Sequence, residues 1–182
     1  SMPLMIFLIT RIPASPGPKS RISFWKWLLA FVISYAGMYI ANIIGISITG
    51  IISIIKGAPV ANDIVEIATS NNMLVNFIVM VILAPIYEEF IFRKLLCDRT
   101  AIYGEGISVL VSGLFFGLFH GNLNQFAYAF VIGSVFAYVY VKTRNIWYTI
   151  ALHMLINFFG SIVSLGILKL ANLDVLLNGT VS

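Results

Sequence analysis

The chain reads as an all-α, polytopic membrane bundle of about five transmembrane helices that encloses a polar site. Three observations predict this. Of 182 residues, 60% are hydrophobic and only 10% are charged, whereas a soluble domain carries about 25% charged residues. Several apolar stretches reach the roughly 20 residues that a helix needs to cross a bilayer. The stretches are joined by segments rich in Lys, Arg, Pro, Gly and Asn, the residues that interrupt helices and mark membrane surfaces. The size fits one compact helical domain. The net charge of +4 is small and spread out, which excludes the concentrated basic patch of a nucleic-acid-binding protein. The single cysteine, Cys97, excludes an intramolecular disulfide.

Residues 1–23 form a polar arm. Ser1 before Met2 has the look of a tag scar, the apolar run Leu4–Ile9 is too short to span, and Pro13, Pro16 and Pro18 argue against regular structure up to Arg21. Residues 24–56 are the first apolar block. It is longer than one span requires, and Gly45 and Gly50 mark a tilt, a kink or an early end. Lys56 to Asn72 is a polar loop with Pro59, Asp63 and Glu66. The second span runs from Met73 to about Leu96, followed by a short charged connection from Cys97 to Gly106. The third covers Ile107 to His120, with a possible extension to Asn124. The fourth covers Gln125 to Val141, and Lys142, Arg144 and Asn145 make a tight turn before the fifth, Ile146 to Leu170. The helical core is thus 73–171, and 172–182 is a C-terminal tail.

With the N-terminus in the cytoplasm, Arg11, Lys19, Arg21, Lys26, Arg93, Lys94, Arg99, Lys142 and Arg144 fall inside, and Lys56 and Lys169 fall outside. This is the bias the positive-inside rule expects. It predicts an integral membrane protein with five spans, N-in and C-out, and the isoleucine-rich chain suggests a bacterial plasma membrane. The two halves share no spacing or motif, which argues against a transporter built from inverted repeats.

Inside the spans the ionisable residues are few: Glu88 and Glu89 in the second, His120 at the end of the third and His153 in the fifth. Carboxylates at membrane depth are costly and mark function by default. Glu89 and Arg93 are four residues apart, the acid first, the favourable order for a helical ion pair. Glu88 is turned about 100° away from Glu89. The two carboxylates therefore have different jobs: Glu89 pairs with Arg93, and Glu88 is left to face a cavity. Asn157 shares a helix face with His153.

Glu-Glu-x-x-x-Arg over 88–93, Phe-x-x-x-His over 116–120 and His-x-x-x-Asn over 153–157 stand in that order on three helix-forming segments. This arrangement resembles the family of intramembrane CAAX-type prenyl-protein proteases and bacteriocin-processing or immunity proteins, over roughly residues 73–160. Members of that family usually carry more spans, so the chain has the look of a minimal or trimmed version. The resemblance implies an endopeptidase whose substrate is a membrane-associated peptide or a prenylated CAAX-type protein. It implies that Glu88, helped by His120, is the base on a water molecule. It implies that His153 and Asn157 stabilise the oxyanion, and that Glu89, Arg93 and Phe116 support the site.

The chemistry is coherent with that reading. A carboxylate held away from bulk water is a better base than one in solution, and a neighbouring histidine orients the water or holds the proton. Glu88, His120 and His153 are also a possible ligand set for a catalytic zinc. The His-Glu-x-x-His zinc signature is absent from the sequence, and the residues favour a metal-free glutamate mechanism. Blander readings exist for each residue. His120 taken alone is an interfacial histidine before the Gly121–Asn122 turn, and His153 and Asn157 taken alone serve equally well as interhelical hydrogen-bond glue. Phe116 reads as packing, and Gly113 and Gly117 as a close helix contact. Two other functions use the same residues: a non-proteolytic immunity or peptide-binding protein, and a small proton- or ion-coupled transporter with Glu88 as the ion site. For Glu88, His120 and His153 to meet, the third span must begin below the surface or tilt, or the 121–125 connection must dip into the protein.

Overall fold

A computed structural model describes residues 6–7, 9–58, 72–164 and 166. The expected loop over 59–71, the end of the fifth span and the tail over 172–182 lie outside the described residues. Five long helices make up the described chain, and no strand occurs among the described residues. Helix α1 is Phe24–Lys56, α2 is Met73–Tyr103, α3 is Glu105–Phe119, α4 is Leu123–Thr143 and α5 is Ile146–Val163. Four of them, α1, α2, α4 and α5, are long and apolar enough to cross a membrane. With 15 residues, α3 is about 22 Å long, short of the ~30 Å hydrocarbon core.

Helix starts follow the local sequence. The side chains of Ser23, Asn72, Asn122 and Asn145 accept hydrogen bonds from the first-turn amides of α1, α2, α4 and α5, satisfying donors that the helix itself leaves open. Gly57, at φ 66°, ends α1 in the left-handed conformation that glycine adopts without strain. Neither Gly45 nor Gly50 breaks α1, which runs unbroken for 33 residues.

The buried face of α1 carries small or short residues, Ala30, Ser34, Ala41, Gly45 and Thr49. Its opposite face exposes Val32, Ile40, Ile43, Ile44 and Ile51. This inverted pattern suits lipid outside and close helix contact inside, where small residues let backbones approach. A Cβ on Gly45 would lie 2.9 Å from the Asn124 carbonyl oxygen of α4, and one on Gly37 would lie 2.8 Å from Val131. Helices α3 and α4 meet the same way. A Cβ on Gly113 would collide with Ser134, one on Gly117 would press on Phe126, and one on Gly133 would lie 2.9 Å from Phe116. The Gly113 and Gly117 contact expected from spacing is therefore present. Helix α4 packs along both α1 and α3 and also touches α2 and α5, so it is the axis of the bundle.

The expected charged connection after Leu96 is a correction: the helix continues through Cys97 and Arg99 to Tyr103, and Gly104 at φ 108° makes the break. The charges are tolerated because Asp98, almost fully buried, collects partners. Lys94 lies at 2.8 Å, Arg144 at 3.2 Å and the Tyr140 hydroxyl at 2.9 Å. The polar arm does lack regular structure over 13–23, yet it is pinned. The Ser15 amide donates to Asp98 O at 2.7 Å and the Ser20 amide to Thr143 O at 2.8 Å. Arg21, Lys26, Lys94, Lys142 and Arg144 thus gather around one end of the bundle. Arg93, counted with them from sequence, is instead fully buried.

That burial holds the core together. Arg93 Nε donates to Glu89 Oε2 at 2.9 Å and Nη2 to Glu89 Oε1 at 3.2 Å. Nη1 donates to Ser112 Oγ of α3 at 2.6 Å, and the guanidinium lies 5.1 Å from the Phe116 ring and 5.7 Å from the Phe136 ring. One residue therefore links α2, α3 and α4. Replacing Arg93 by Leu strands a buried carboxylate, an effect of about 3–5 kcal/mol. Thermal unfolding in detergent is expected to show that loss, with part of it recovered when Glu89→Met is added. Gly133→Val is expected to destabilise by about 1–3 kcal/mol through overpacking against Phe116, read by the same unfolding measurement.

Candidate active site

Glu88 and Glu89 sit at the end of an ordinary helical turn, Ala84–Glu89, flanked by two stretches of wide turns, Phe77–Leu83 and Phe90–Cys97. Wide turns shift the angular phase of the residues beyond them and recur at functional sites. Pro85 explains the first one. It has no amide hydrogen, and the Ala84 amide donates to Val79 O, five residues back. The Met80 carbonyl is met instead by Asn157 Nδ2 of α5 at 2.8 Å. Freed backbone groups at membrane depth find such partners.

The two glutamates part company as their spacing requires. Glu89 is fully buried and accepts from Arg93 and from His153 Nδ1, the latter at 3.0 Å. Glu88 has a side chain 15% exposed, and its Oε2 is buried with no hydrogen-bond partner. That oxygen lies 3.9 Å from His153 Nε2, close enough for charge attraction and too far for a direct hydrogen bond. Glu88 faces a cavity of about 520 Å³ that His120, His153 and Asn157 also line.

Both histidines are held with one nitrogen fixed. His120 Nδ1 lies 2.8 Å from Phe116 O. A carbonyl only accepts, so Nδ1 carries the hydrogen and Nε2 keeps a lone pair in the neutral ring. His153 Nδ1 donates to a carboxylate, which leaves its Nε2 facing Glu88. Phe116, fully buried, meets both imidazoles edge-on, at 5.0 Å from His120 and 5.6 Å from His153. Phe136 covers His153 from α4 at 5.3 Å. The aromatic residue read as packing is the wedge that spaces the two rings.

The depth problem has a structural answer. Short α3 ends at His120, Gly121 turns at φ 62°, and Asn122 starts α4. Asn124 and Gln125, in the first turn of α4, are buried and line the cavity, and Thr49 of α1 donates to Asn124 Oδ1. The end of the 121–125 connection thus enters the protein at Asn124 and Gln125, while Gly121 and Leu123 stay exposed.

The cavity has further polar walls that sequence reading passed over: Asn42 of α1 and Gln125 and Tyr128 of α4. Asn42 had a signal, since an amide inside an apolar block is a polar residue at membrane depth. Tyr128 had none, because its place depends on how α4 turns back on His120, whose ring lies 6.5 Å away. Cys97 is fully buried against Ala137, Tyr140 and Val141, away from this cavity.

For a zinc ion the donor chemistry is present in part, since each histidine has the fixed Nδ1 that metal-ligating imidazoles usually show. Among the described residues, however, no three His, Cys, Asp or Glu side chains are gathered closely enough to hold a metal ion. The side chains as arranged do not fit the group, and no step is derived through it.

Residues 70–159 match the family described as Type II CAAX prenyl endopeptidase Rce1-like. Among curated proteins, the chain is 36% identical over 92 residues to "Putative membrane peptidase YdiL" of Bacillus subtilis (strain 168), a match covering 48% of this chain and 36% of the relative. It is 30% identical over 149 residues to "Membrane-embedded CAAX protease MroQ" of Staphylococcus aureus (strain USA300), covering 78% of this chain and 58% of the relative. The matches thus span between about a third and three fifths of those relatives. No solved structure matches. The matched segment holds all three motifs, the glutamate pair, the His120 turn and the His153–Asn157 face, on the helices that enclose one cavity, and residues 70–159 are the part of the chain that matches the Rce1-like CAAX prenyl endopeptidase family.

Proposed function

We propose that the chain is a membrane-embedded endopeptidase that hydrolyses a peptide bond of a membrane-associated peptide or a prenylated CAAX-type protein. The observation that carries this is the Glu88 carboxylate: partly buried, one oxygen without a hydrogen-bond partner, and 3.9 Å from His153 Nε2 in a cavity shared with His120. A carboxylate is left unpartnered at such cost only where something else, a water or a substrate, is meant to meet it. The family match and the relative named a CAAX protease support the substrate class.

In this mechanism a water in the cavity lies between Glu88 and His120 Nε2. Glu88 takes its proton as the oxygen attacks the scissile carbonyl carbon, and the same proton passes to the departing amine when the carbon–nitrogen bond breaks. His153, protonated, stabilises the oxyanion from Nε2. Its Nδ1 is anchored on Glu89, which Arg93 holds in place. Asn157 spends one amide hydrogen on Met80 O and has a second to offer the oxyanion. Phe116 keeps the two rings apart. We place the arm and the cationic end of the bundle in the cytoplasm of a bacterial cell, as the distribution of Lys and Arg favours.

Glu88→Gln keeps size and polarity but removes the base. It is expected to lower cleavage of peptide substrates in detergent by at least about 10²-fold, with the melting temperature unchanged. Undiminished cleavage by this variant would sink the assignment of Glu88 as the base, and peptide binding with no cleavage by the parent chain would favour a protein that binds without cutting. Metal content tests the glutamate mechanism separately. Protein purified without chelator is expected to carry far less than one zinc per chain and to keep its activity in chelator. Stoichiometric zinc lost together with activity would replace the mechanism with a metal-assisted one.

A further inference from the structure

A second cavity, of about 830 Å³, lies towards the other end of α4 and shares no residue with the first. Its walls are the arm over residues 20–23, the first turns of α1, the last turns of α4 and Val109 of α3. The arm is fastened there: the Ser20 amide donates to Thr143 O at 2.8 Å, and Ser20 Oγ donates to Lys142 O at 2.7 Å. A volume of this size lies within the range of small-molecule sites, roughly 300–1,000 Å³.

The lining is divided. Arg21, Lys26 and Lys142 contribute three cations, and no acidic side chain lines the cavity. Lys142 is shared with Glu105 of α3. Arg21 and Lys26 are exposed and form no ion pair among the described residues. Beyond the cations the surface turns apolar. Leu29 and Ile33 lie one and two turns further along α1 from Lys26, facing Val135 and Val139 of α4 across the same space. Trp25 is 75% exposed beside this region and Tyr138 is 54% exposed, and the Lys142 ammonium lies 5.8 Å from the Tyr138 ring. Exposed Trp and Tyr next to Lys and Arg are the marks of the membrane–water interface.

We propose that this cavity binds one anionic phospholipid, with its phosphate between Arg21 and Lys26 and an acyl chain running over Leu29, Ile33 and Val139. The two halves of the lining select an amphiphile. A small soluble anion would leave the apolar half wet, and a zwitterionic lipid brings its own cation to a rim that already holds three. Basic pockets between membrane helices at an interface recognise anionic headgroups by this combination. The bound lipid adds to the Ser20 hydrogen bonds that fasten the arm to α4. The site does not depend on the peptidase reading, since no residue is common to the two cavities.

The test uses the full chain purified in uncharged detergent, titrated with phosphatidylglycerol or with phosphatidylcholine of the same acyl chains, and read by native mass spectrometry and by the shift in melting temperature. One phosphatidylglycerol per chain is expected to persist and to raise the melting temperature, and phosphatidylcholine is expected to do neither. Arg21→Ala and Lys26→Ala are each expected to weaken the phosphatidylglycerol affinity about fivefold, and 1 M salt is expected to weaken it further. Leu29→Trp, which fills the apolar half and keeps every cation, is expected to abolish the one-to-one binding. Lys56→Ala, at the far end of α1, is the control expected to bind as the parent chain does. All four substitutions are at exposed positions, and lipid-free melting of each variant verifies its fold. Equal retention of the two lipids, unchanged affinity in both alanine variants, or full displacement by glycerol 3-phosphate would overturn the proposal, the last by assigning the site to a free phosphate.

Discussion

A guanidinium and a carboxylate are buried together at Arg93 and Glu89, with no exposure of either, among helices whose outer surface is apolar. Charges in such surroundings survive only when their hydrogen bonds are met. Glu89 receives Arg93 and His153, Arg93 also reaches Ser112, and Phe116 and Phe136 flank the guanidinium. Four helices are thereby positioned around one pair of charges. His153 has its ring orientation set by that pair, so its Nε2 faces Glu88. Phe116 is fixed between Arg93 and the two imidazoles, and its carbonyl holds His120. The candidate site is therefore an extension of the core's charge network, with Glu88 as the member left unsatisfied.

The shape of α2 follows from a second constraint, the backbone. Pro85 cannot donate a hydrogen bond, and a helix in lipid has no water to make up the loss. The preceding segment widens its turns, and Asn157 meets the Met80 carbonyl from α5. A residue proposed to face an oxyanion thus also locks α5 against α2, which brings His153 level with the glutamates. Structural and chemical duties sit on the same side chain because both need a polar group at the same depth.

The bundle is polarised along α4. Its first half borders the cavity with histidines and carboxamides, and its last half borders the cavity rimmed by Arg21, Lys26 and Lys142. Asp98 organises the cationic end by taking Lys94, Arg144 and Tyr140. Glycine and other small residues on α1 and α3 let both helices lie against α4 closely enough to close these spaces.

Much of this was legible in residue order. The apolar composition required a membrane bundle. The four-residue spacing of Glu89 and Arg93 implied their pair, and the one-residue offset of Glu88 implied a different face. Gly113 and Gly117 implied close contact, and the depth mismatch between His120 and His153 implied that the 121–125 connection dips towards the site, as Asn124 and Gln125 do. Each of these follows from helix periodicity or from the cost of burying a charge, which are local properties. Other features came only from the folded chain. Arg93 sits in the core and not at the cationic end, because Ser112 and two phenylalanines receive it there. The helix runs past Leu96 to Tyr103, because Asp98 finds partners forty and more residues away. Helix α3 stops short of a full span because its end belongs to the site. Tyr128 joins the cavity, and His153 prefers Glu89 over Glu88, through the angles at which helices cross. Sequence by itself determined which groups must avoid lipid and which faces they share. Tertiary packing decided which of those groups meet, because a contact between helices depends on crossing geometry that no spacing within one helix encodes.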